Sequence, residues 1–145
     1  RDWISGTEME LQNFFAEDID IHHIFPQDYC IKQDYDKQKW NSIVNKTPLF
    51  YSTNRYLRGY APSVYITNIE KKTKKDRSEI APFISGHLID CEKLFSDDFE
   101  GFIIDRAKKL LGLIEKAIGK PIADRNSEDT VKQFGESLAN EATAD

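Results

Sequence analysis

The sequence predicts an α+β fold, in which a small core of two strands and one helix is embedded in a mostly helical domain. Two short segments, 18–26 and 47–51, have the alternation and the prolines of half-buried strands. Ser52 can cap a helix directly after the second segment. Residues 96–118 form an amphipathic pattern, which we expect to pack across this core as one long helix.

The first predicted elements follow one another closely. A capped helix is expected over 7–15, because a threonine cap precedes leucine and phenylalanine at helical spacing. Residues 18–26 alternate between apolar and polar side chains as a half-buried strand does, and Pro26 ends that strand. Residues 27–39 are polar and are predicted to be a connection, followed by a short helical stretch around 40–44.

Helices are predicted to dominate the next part of the chain. Ser52 begins one helix, and Pro62 begins another, since proline suits a first helical turn. The lysine-rich stretch 67–77 has little apolar content and is predicted to be a loop or an exposed helix end. A further helix is expected over 80–88.

The clearest helix covers 96–118, with Ser96 as its cap and Gly119 at its end. Its phenylalanines, leucines and isoleucines form one apolar stripe. Beyond Pro121 the chain is acidic and poor in apolar residues, which predicts a largely disordered tail. We therefore expect one domain over 1–120 and an acidic tail over 121–145.

The bulk composition predicts a soluble, cytoplasmic, globular protein. The chain has 145 residues, 39% of them hydrophobic, and no apolar run approaches the roughly 18–20 residues of a membrane span. Cys30 and Cys91 stand alone, which excludes zinc-ribbon spacing; we expect reduced thiols, with a disulfide as the less favoured alternative. A start at Arg1 without a leader suggests a C-terminal fragment of a larger protein.

The net charge of −5 is unevenly distributed. Residues 55–77 carry seven basic and two acidic side chains, whereas the segments before and after them carry an excess of acid. Such an island is also typical of a solvated lysine-rich loop. Its position just after the motif described below favours contact with a polyanion.

The segment that begins at Asp20 contains the groups needed to hydrolyse a phosphodiester. His22 and His23 lie on the first predicted strand, and Asn45 and Asn54 flank the second. Hydrolysis needs a base to deprotonate water and a cation to stabilise charge on the phosphate and the leaving oxygen. A histidine can be the base near neutral pH, and an asparagine oxygen can bind a divalent cation. Taken singly, each residue also has an ordinary packing or capping interpretation.

Three runs in order carry a resemblance to a known family: His22-His23-Ile-Phe-Pro26, Asn45-Lys-Thr-Pro-Leu49 and Ser52-Thr-Asn-Arg55. Together they resemble the HNH, or ββα-metal, endonuclease motif. The resemblance continues through Ala61-Pro-Ser-Val-Tyr65, His87-Leu-Ile-Asp90 and the helix after them. Over roughly residues 10–120 the chain is similar to the C-terminal nuclease domain of GmrSD-like modification-dependent (type IV) restriction proteins.

The resemblance implies a role for each residue of the motif. His23 matches the general base, His22 and Asn54 match the residues that hold the metal, and Asn45 matches the residue that fixes the loop supporting the base. Many HNH proteins have aspartate where this chain has His22. Because an imidazole is a softer donor than a carboxylate, we expect Mn or Ni to serve at least as well as Mg.

Two further expectations concern the surroundings of this motif. Asp20 shares a strand face with His22, and it either orients the imidazole through the other ring nitrogen or joins the metal ligands. Adjacent strand residues point to opposite faces, so we expect the strand to bend at His22 and His23. Three neighbouring cations are predicted to contact DNA phosphates, although they could be plain surface charges: Lys46, Arg55 and Arg58.

The function that the resemblance implies is metal-dependent cleavage or nicking of DNA, in the restriction of modified or phage DNA. In the family, an N-terminal nucleotide-hydrolysing module chooses the target, so this module and DNA are the expected partners, with no membrane involved. The alternative is a non-catalytic DNA- or protein-binding module that keeps the ββα shape. His87, outside the motif, is interpreted as structural.

Overall fold

The chain folds into a two-stranded antiparallel sheet surrounded by helices. The structure is a computed structural model, which describes residues 1–10, 12, 16 and 19–139. The elements in chain order are β1 (Ile19–His23), α1 (Gln27–Lys32), α2 (Lys37–Trp40), a short 3-10 helix (Ile43–Asn45), β2 (Lys46–Phe50), α3 (Tyr51–Leu57), α4 (Pro62–Thr73), α5 (Arg77–Ser85), α6 (Cys91–Phe95), α7 (Phe99–Ile118) and α8 (Glu128–Phe134). The predicted α+β class is confirmed. Of the described helices, none has both the length and the apolar character needed to cross a membrane.

The two strands pair in an unbroken antiparallel register from Ile19 to His23. The ladder continues for one residue more, because the Ile24 N–H donates to the Asn45 carbonyl at 2.8 Å. The bend predicted at His22 and His23 lies just after them: the chain bends at Ile24 and Phe25, and regular pairing keeps both histidines in the pleat. Their side chains therefore leave the strand on opposite faces.

Helix α3 begins directly after β2, one residue before the predicted cap Ser52, and it packs against both strands. No side chain at its N-cap position accepts a hydrogen bond from its first turn. The helix start is instead bound by Asp2, which is far away in sequence. Its carboxylate accepts from the Phe50 N–H at 3.3 Å and from the Thr53 hydroxyl at 2.8 Å. The N-terminal segment thus fixes the start of the helix that carries Asn54.

The buried core joins the N-terminal segment, the strands and α4 to α7. Its largest fully buried side chains are Trp3, Ile24, Phe25, Leu49, Leu57, Tyr65, Ile66, Ile69, Ile80, Ile84, Phe99 and Phe102. The Tyr65 hydroxyl donates to the Ile24 carbonyl at 2.8 Å, which ties α4 to the end of β1. The core therefore holds the strand end beside His23.

The boundaries of α4, α5 and α7 also differ from the sequence prediction. Helix α5 covers Arg77–Ser85, where the sequence predicts a helix over 80–88. Helix α4 continues to Thr73, into the lysine-rich stretch predicted as a loop or an exposed helix end, because Ile66 and Ile69 bury one face. Helix α7 begins at Phe99, where the Asp98 carboxylate accepts from the Gly101 N–H at 3.0 Å. The predicted cap Ser96 instead ends α6.

Of the helix predicted over 7–15, residues 7–10 are not helical and Gln12 is, while residues 11 and 13–15 lie outside the described residues. The polar connection predicted over 27–39 contains the short helices α1 and α2, each with a buried residue, Cys30 and Trp40 respectively. Burial of these side chains against the rest of the protein, more than helix propensity, accounts for such short helices.

Residues 121–139 are ordered in the structure, where the sequence predicts a largely disordered tail. The Arg125 guanidinium donates to the Leu138 carbonyl at 2.7 Å and pairs with Glu115 of α7 at 2.9 Å. Leu138 is buried, and Phe134 packs against the core. A few apolar side chains and one buried arginine therefore fasten a segment whose composition is mostly polar.

Candidate metal and catalytic site

His22 has a buried ring nitrogen without a partner. Its Nε2 makes no hydrogen bond within the part of the chain that the structure describes, and its side chain is only 11% exposed. Asp20 Oδ2 lies 3.8 Å from this nitrogen, which is too far for a hydrogen bond. Burial lowers the pKa of His22, while the Asp20 charge opposes this shift. An unsatisfied buried polar atom costs about 1–3 kcal/mol. A metal ion bound to the free nitrogen of the neutral imidazole would remove this cost.

The Asp20 carboxylate lies on the same strand face as His22, as the sequence predicts. It is exposed, and its Oδ1 accepts from the Ile21 N–H at 2.8 Å. Its other oxygen approaches Nε2 of His22, the same nitrogen that has no partner. An ion on that nitrogen would therefore lie beside a carboxylate.

His23 lies against Trp40 and Asn41. Its ring packs edge-on to the Trp40 ring, with centroids 5.7 Å apart, and its Nε2 is 3.2 Å from Asn41 Oδ1. An amide oxygen only accepts, so the ring donates from Nε2, and Nδ1 of the neutral imidazole keeps a free lone pair. Neither neighbour was indicated by the sequence pattern, because both lie in a polar stretch without a motif.

Asn45 is fully buried and joins two parts of the site. Its Oδ1 accepts from the Phe25 N–H at 2.8 Å, and its Nδ2 donates to the Phe25 carbonyl at 2.9 Å and the Trp40 carbonyl at 2.8 Å. The amide thus holds the chain just after β1 to the residue that packs on His23. This geometry supports the predicted scaffold role.

Asn54 is half-buried on α3, and its side-chain amide makes no hydrogen bond with any described residue. Helix α3, which carries Asn54, packs on both strands and therefore lies next to the strand that carries His22. Among the described residues, no three His, Cys, Asp or Glu side chains come together as a metal site. The predicted ligand set contains two such residues and the amide of Asn54, which is outside these types.

The predicted phosphate-binding cations lie on β2 and on α3, including the residue that ends α3. Within the described ranges none of them forms an ion pair: Lys46, Arg55 and Arg58. Lys46 is opposite His23 in the sheet, and Arg55 follows Asn54 on α3. All three remain available to an anion near the candidate site.

Arg106 of α7 anchors the start of β2, and the sequence pattern did not indicate it. Its Nη1 donates to the carbonyls of Val44 and Lys46, the latter at 3.0 Å, and its Nε donates to the His87 carbonyl at 3.1 Å. Burial lowers its pKa to about 10, so the guanidinium stays charged at neutral pH. The only sequence signal was a cation on the buried face of an amphipathic helix, next to Ala107.

Both ring nitrogens of His87 have partners, which favours its structural interpretation. Its Nδ1 accepts from the Thr47 hydroxyl, and its Nε2 donates to the Arg1 carbonyl at 2.6 Å. Its ring packs edge-on against Trp3, with centroids 5.7 Å apart. Burial lowers the pKa of His87 and so favours the neutral imidazole, in which Nδ1 accepts and Nε2 donates.

We expect the free energy of unfolding to decrease as the pH falls below about 6.5. Burial lowers the pKa of His87 from the ordinary 6.5, so the unfolded chain takes up a proton first. The stability from this residue is present above pH 6.5 and is lost as the pH falls to the folded-state pKa, at about 1.4 kcal/mol per unit of depression. Urea unfolding at several pH values measures this. His87→Gln, which does not titrate, should lose less; an equal loss in both proteins would contradict the assignment to His87.

No known protein family and no solved structure matches the chain. An uncharacterized protein of Methanocaldococcus jannaschii is 30% identical to it over 84 residues, which make up 53% of the chain. The chain spans 14% of the length of this relative. Since the relative's name describes no activity, the function has to be argued from the site.

Proposed function

We propose that the chain is a metal-dependent DNA endonuclease of the HNH type, which hydrolyses phosphodiester bonds in one or both strands. The observation that carries the proposal is the buried, unpartnered Nε2 of His22 beside the Asp20 carboxylate. This nitrogen lies on the strand that also carries His23, with its free Nδ1. Hydrolysis requires a metal ligand and a base beside one phosphate. Because His22 and His23 leave the regular strand on opposite faces, the proposal requires the phosphate to lie across the end of β1, where the chain bends at Ile24 and Phe25.

His22, Asp20 and Asn54 would hold the divalent metal. Asp20 approaches the free nitrogen of His22, which supports a ligand role for this carboxylate over orientation through the other ring nitrogen. An imidazole nitrogen with carboxylate and amide oxygens suits Mg, Mn or Ni, and the nitrogen favours the last two. When bound, the metal supplies positive charge that stabilises the phosphate and the leaving oxygen.

His23 would accept a proton from the attacking water at Nδ1, while its Nε2–H remains with Asn41. The water oxygen forms a new bond to phosphorus, the bond from phosphorus to the leaving sugar oxygen breaks, and this oxygen takes a proton from solvent. Asn45 holds the Trp40 carbonyl and the Phe25 peptide, and so fixes the surroundings of the base.

The proposed substrate is modified or phage DNA, and the proposed setting is cytoplasmic restriction. A nucleotide-hydrolysing module N-terminal to this domain would select the target, as the ordered motif resemblance implies. Contacts to the DNA backbone would come from the cations beside the site: Lys46, Arg55 and Arg58. Their lack of acidic partners within the described residues supports this role.

Nicking of supercoiled plasmid should require an added divalent metal. We expect Mn or Ni to support it at least as well as Mg, and EDTA to abolish it. Asn54→Ala should lower the rate at limiting metal by at least about 10-fold, because loss of a ligand weakens metal binding. Agarose-gel conversion of supercoiled to open-circular DNA measures the rate.

The matched control is Asn126→Ala, since Asn126 is exposed and lies outside the site. This variant should nick plasmid like the wild type. Nicking in EDTA, or equal rates for Asn54→Ala and the control at limiting metal, would refute the metal site. Activity with Mg alone would contradict the role given to His22.

A further inference from the structure

We propose that the groove between α3 and α4 is a second phosphate subsite, which binds the DNA backbone next to the bond that is cut. The inference rests on the proposed function and extends it from Arg55 and Arg58 to Lys71 of α4, which lies outside the motif. The groove has a volume of about 330 Å³ and is lined by Arg55, Tyr56, Arg58, Tyr60, Asn68 and Lys71. Helix α3 and the turn after it supply one wall, and α4 supplies the other.

The groove gathers positive charge that is not neutralised. Its three cations, Arg55, Arg58 and Lys71, form no ion pair or side-chain hydrogen bond with described residues. The neighbouring acid Glu70 is already paired with Arg77 at 3.2 Å. Although the chain has a net charge of −5, the three cations in this groove repel one another. A bound polyanion would relieve this repulsion.

The backbone of Arg58 supports the same conclusion. This residue ends α3 with φ 34° and ψ −139°, a conformation that favours glycine. A residue other than glycine in such a backbone conformation destabilises the folded state by about 1–3 kcal/mol. The turn packs closely against α1, because a Cβ added at the next residue, Gly59, would lie 3.0 Å from Asp28 Cβ. Glycine at position 58 would relieve the strain, so the arginine side chain is explained by a role other than folding.

The groove lies next to the proposed metal site along α3. Arg55 directly follows Asn54, and the lining then leads away through Arg58 and Tyr60 to Lys71 of α4. A phosphate in the groove would therefore belong to a different nucleotide from the one held at the metal. The groove would fix the direction in which the strand crosses the site.

The test is the affinity for a fluorescein-labelled DNA duplex, measured by anisotropy in EDTA so that no cutting contributes. Lys71→Glu should weaken binding by about 10-fold at low salt. The slope of log Kd against log salt concentration should decrease by about 1, which corresponds to the loss of one phosphate contact. Lys120→Glu changes the net charge equally at an exposed position outside the groove. It should leave both quantities close to those of the wild type.

Arg58→Gly should weaken DNA binding and raise the midpoint of thermal unfolding. A weaker affinity without added stability would remove the support from backbone strain, and an unchanged affinity would overturn the subsite. Equal effects of Lys71→Glu and Lys120→Glu would also overturn it, because only total charge would then matter. Tighter binding of an RNA duplex of the same sequence would overturn the assignment to DNA.

The two proposals can fail separately. If the wild type binds DNA through the groove but nicks no plasmid with any metal, the proposed cleavage is wrong and the groove stands. If the wild type nicks plasmid while Lys71→Glu binds DNA like Lys120→Glu, the groove alone is wrong.

Discussion

Plasmid nicking should fall by about 1000-fold when His23 is replaced by alanine, within the range of general-base contributions. The contact with Asn41 makes Nε2 of His23 the donor, which leaves its Nδ1 lone pair free to accept a proton. His22 has its Nε2 buried, and His87 uses both ring nitrogens within the fold. Initial rates with saturating Mn measure the effect on the chemical step.

His23→Ala should remain folded, because His23 is only half-buried and its ring contacts Trp40 from outside the core. Its thermal midpoint and its circular dichroism spectrum check this. Equal nicking by His23→Ala and the wild type would contradict the catalytic assignment. That outcome would favour the alternative of a non-catalytic DNA- or protein-binding module with the same ββα shape.

The free energy of unfolding should decrease by about 3–5 kcal/mol in Asn45→Ala. The substitution leaves the Phe25 N–H and the Trp40 carbonyl without the partner that Asn45 supplies, and leaves the Phe25 carbonyl with only the weak thiol donor of Cys30 at 3.5 Å. Each unsatisfied group costs about 1–3 kcal/mol, and the lost volume adds a cavity cost. Urea denaturation followed by tryptophan fluorescence measures the change.

Asn126→Ala serves again as the matched control and should change stability by less than about 0.5 kcal/mol, because Asn126 is exposed. Asn45→Asp should fail to rescue the loss. Its second oxygen would replace Nδ2 and face two carbonyl oxygens, neither of which can donate. A loss below about 1 kcal/mol in Asn45→Ala would show that the three hydrogen bonds do not fasten the site.

Both strands could be predicted to within three residues because their signals are local. Alternating side chains and Pro26 define β1, and Thr47-Pro48 and the following apolar residues define β2. The long helix α7 was equally clear, since its apolar stripe repeats over twenty residues. The spacing of apolar residues is judged over a whole segment, so one residue that breaks the pattern does not change the prediction.

The start of α7 could not be predicted, because three possible caps stand in a row: Ser96, Asp97 and Asp98. A contact far away in sequence decides between them. The Asp97 carboxylate accepts from the N–H and the hydroxyl of Ser63, and its backbone has a φ of 58°. Asp97 is thereby held out of the helix, and Asp98 becomes the cap.

The motif residues of the site were visible in the sequence, whereas their supports were not. Asn41 contacts His23 across 18 residues, and Asp2 reaches Thr53 across 51. Nothing in the local sequence of either residue indicates its partner. Hydrogen bonds at such separations follow from how the helices pack, which a single sequence does not show.

Arg106 links the order of protein synthesis to the assembly of the site. The carbonyl of Lys46, at the start of β2, is bound by a guanidinium 60 residues further along the chain. On the ribosome, β1 with its two histidines and β2 therefore emerge long before the side chain that holds β2 in place. The proposed site can be completed only after Arg106 has been synthesised, so a shorter growing chain would not yet carry it.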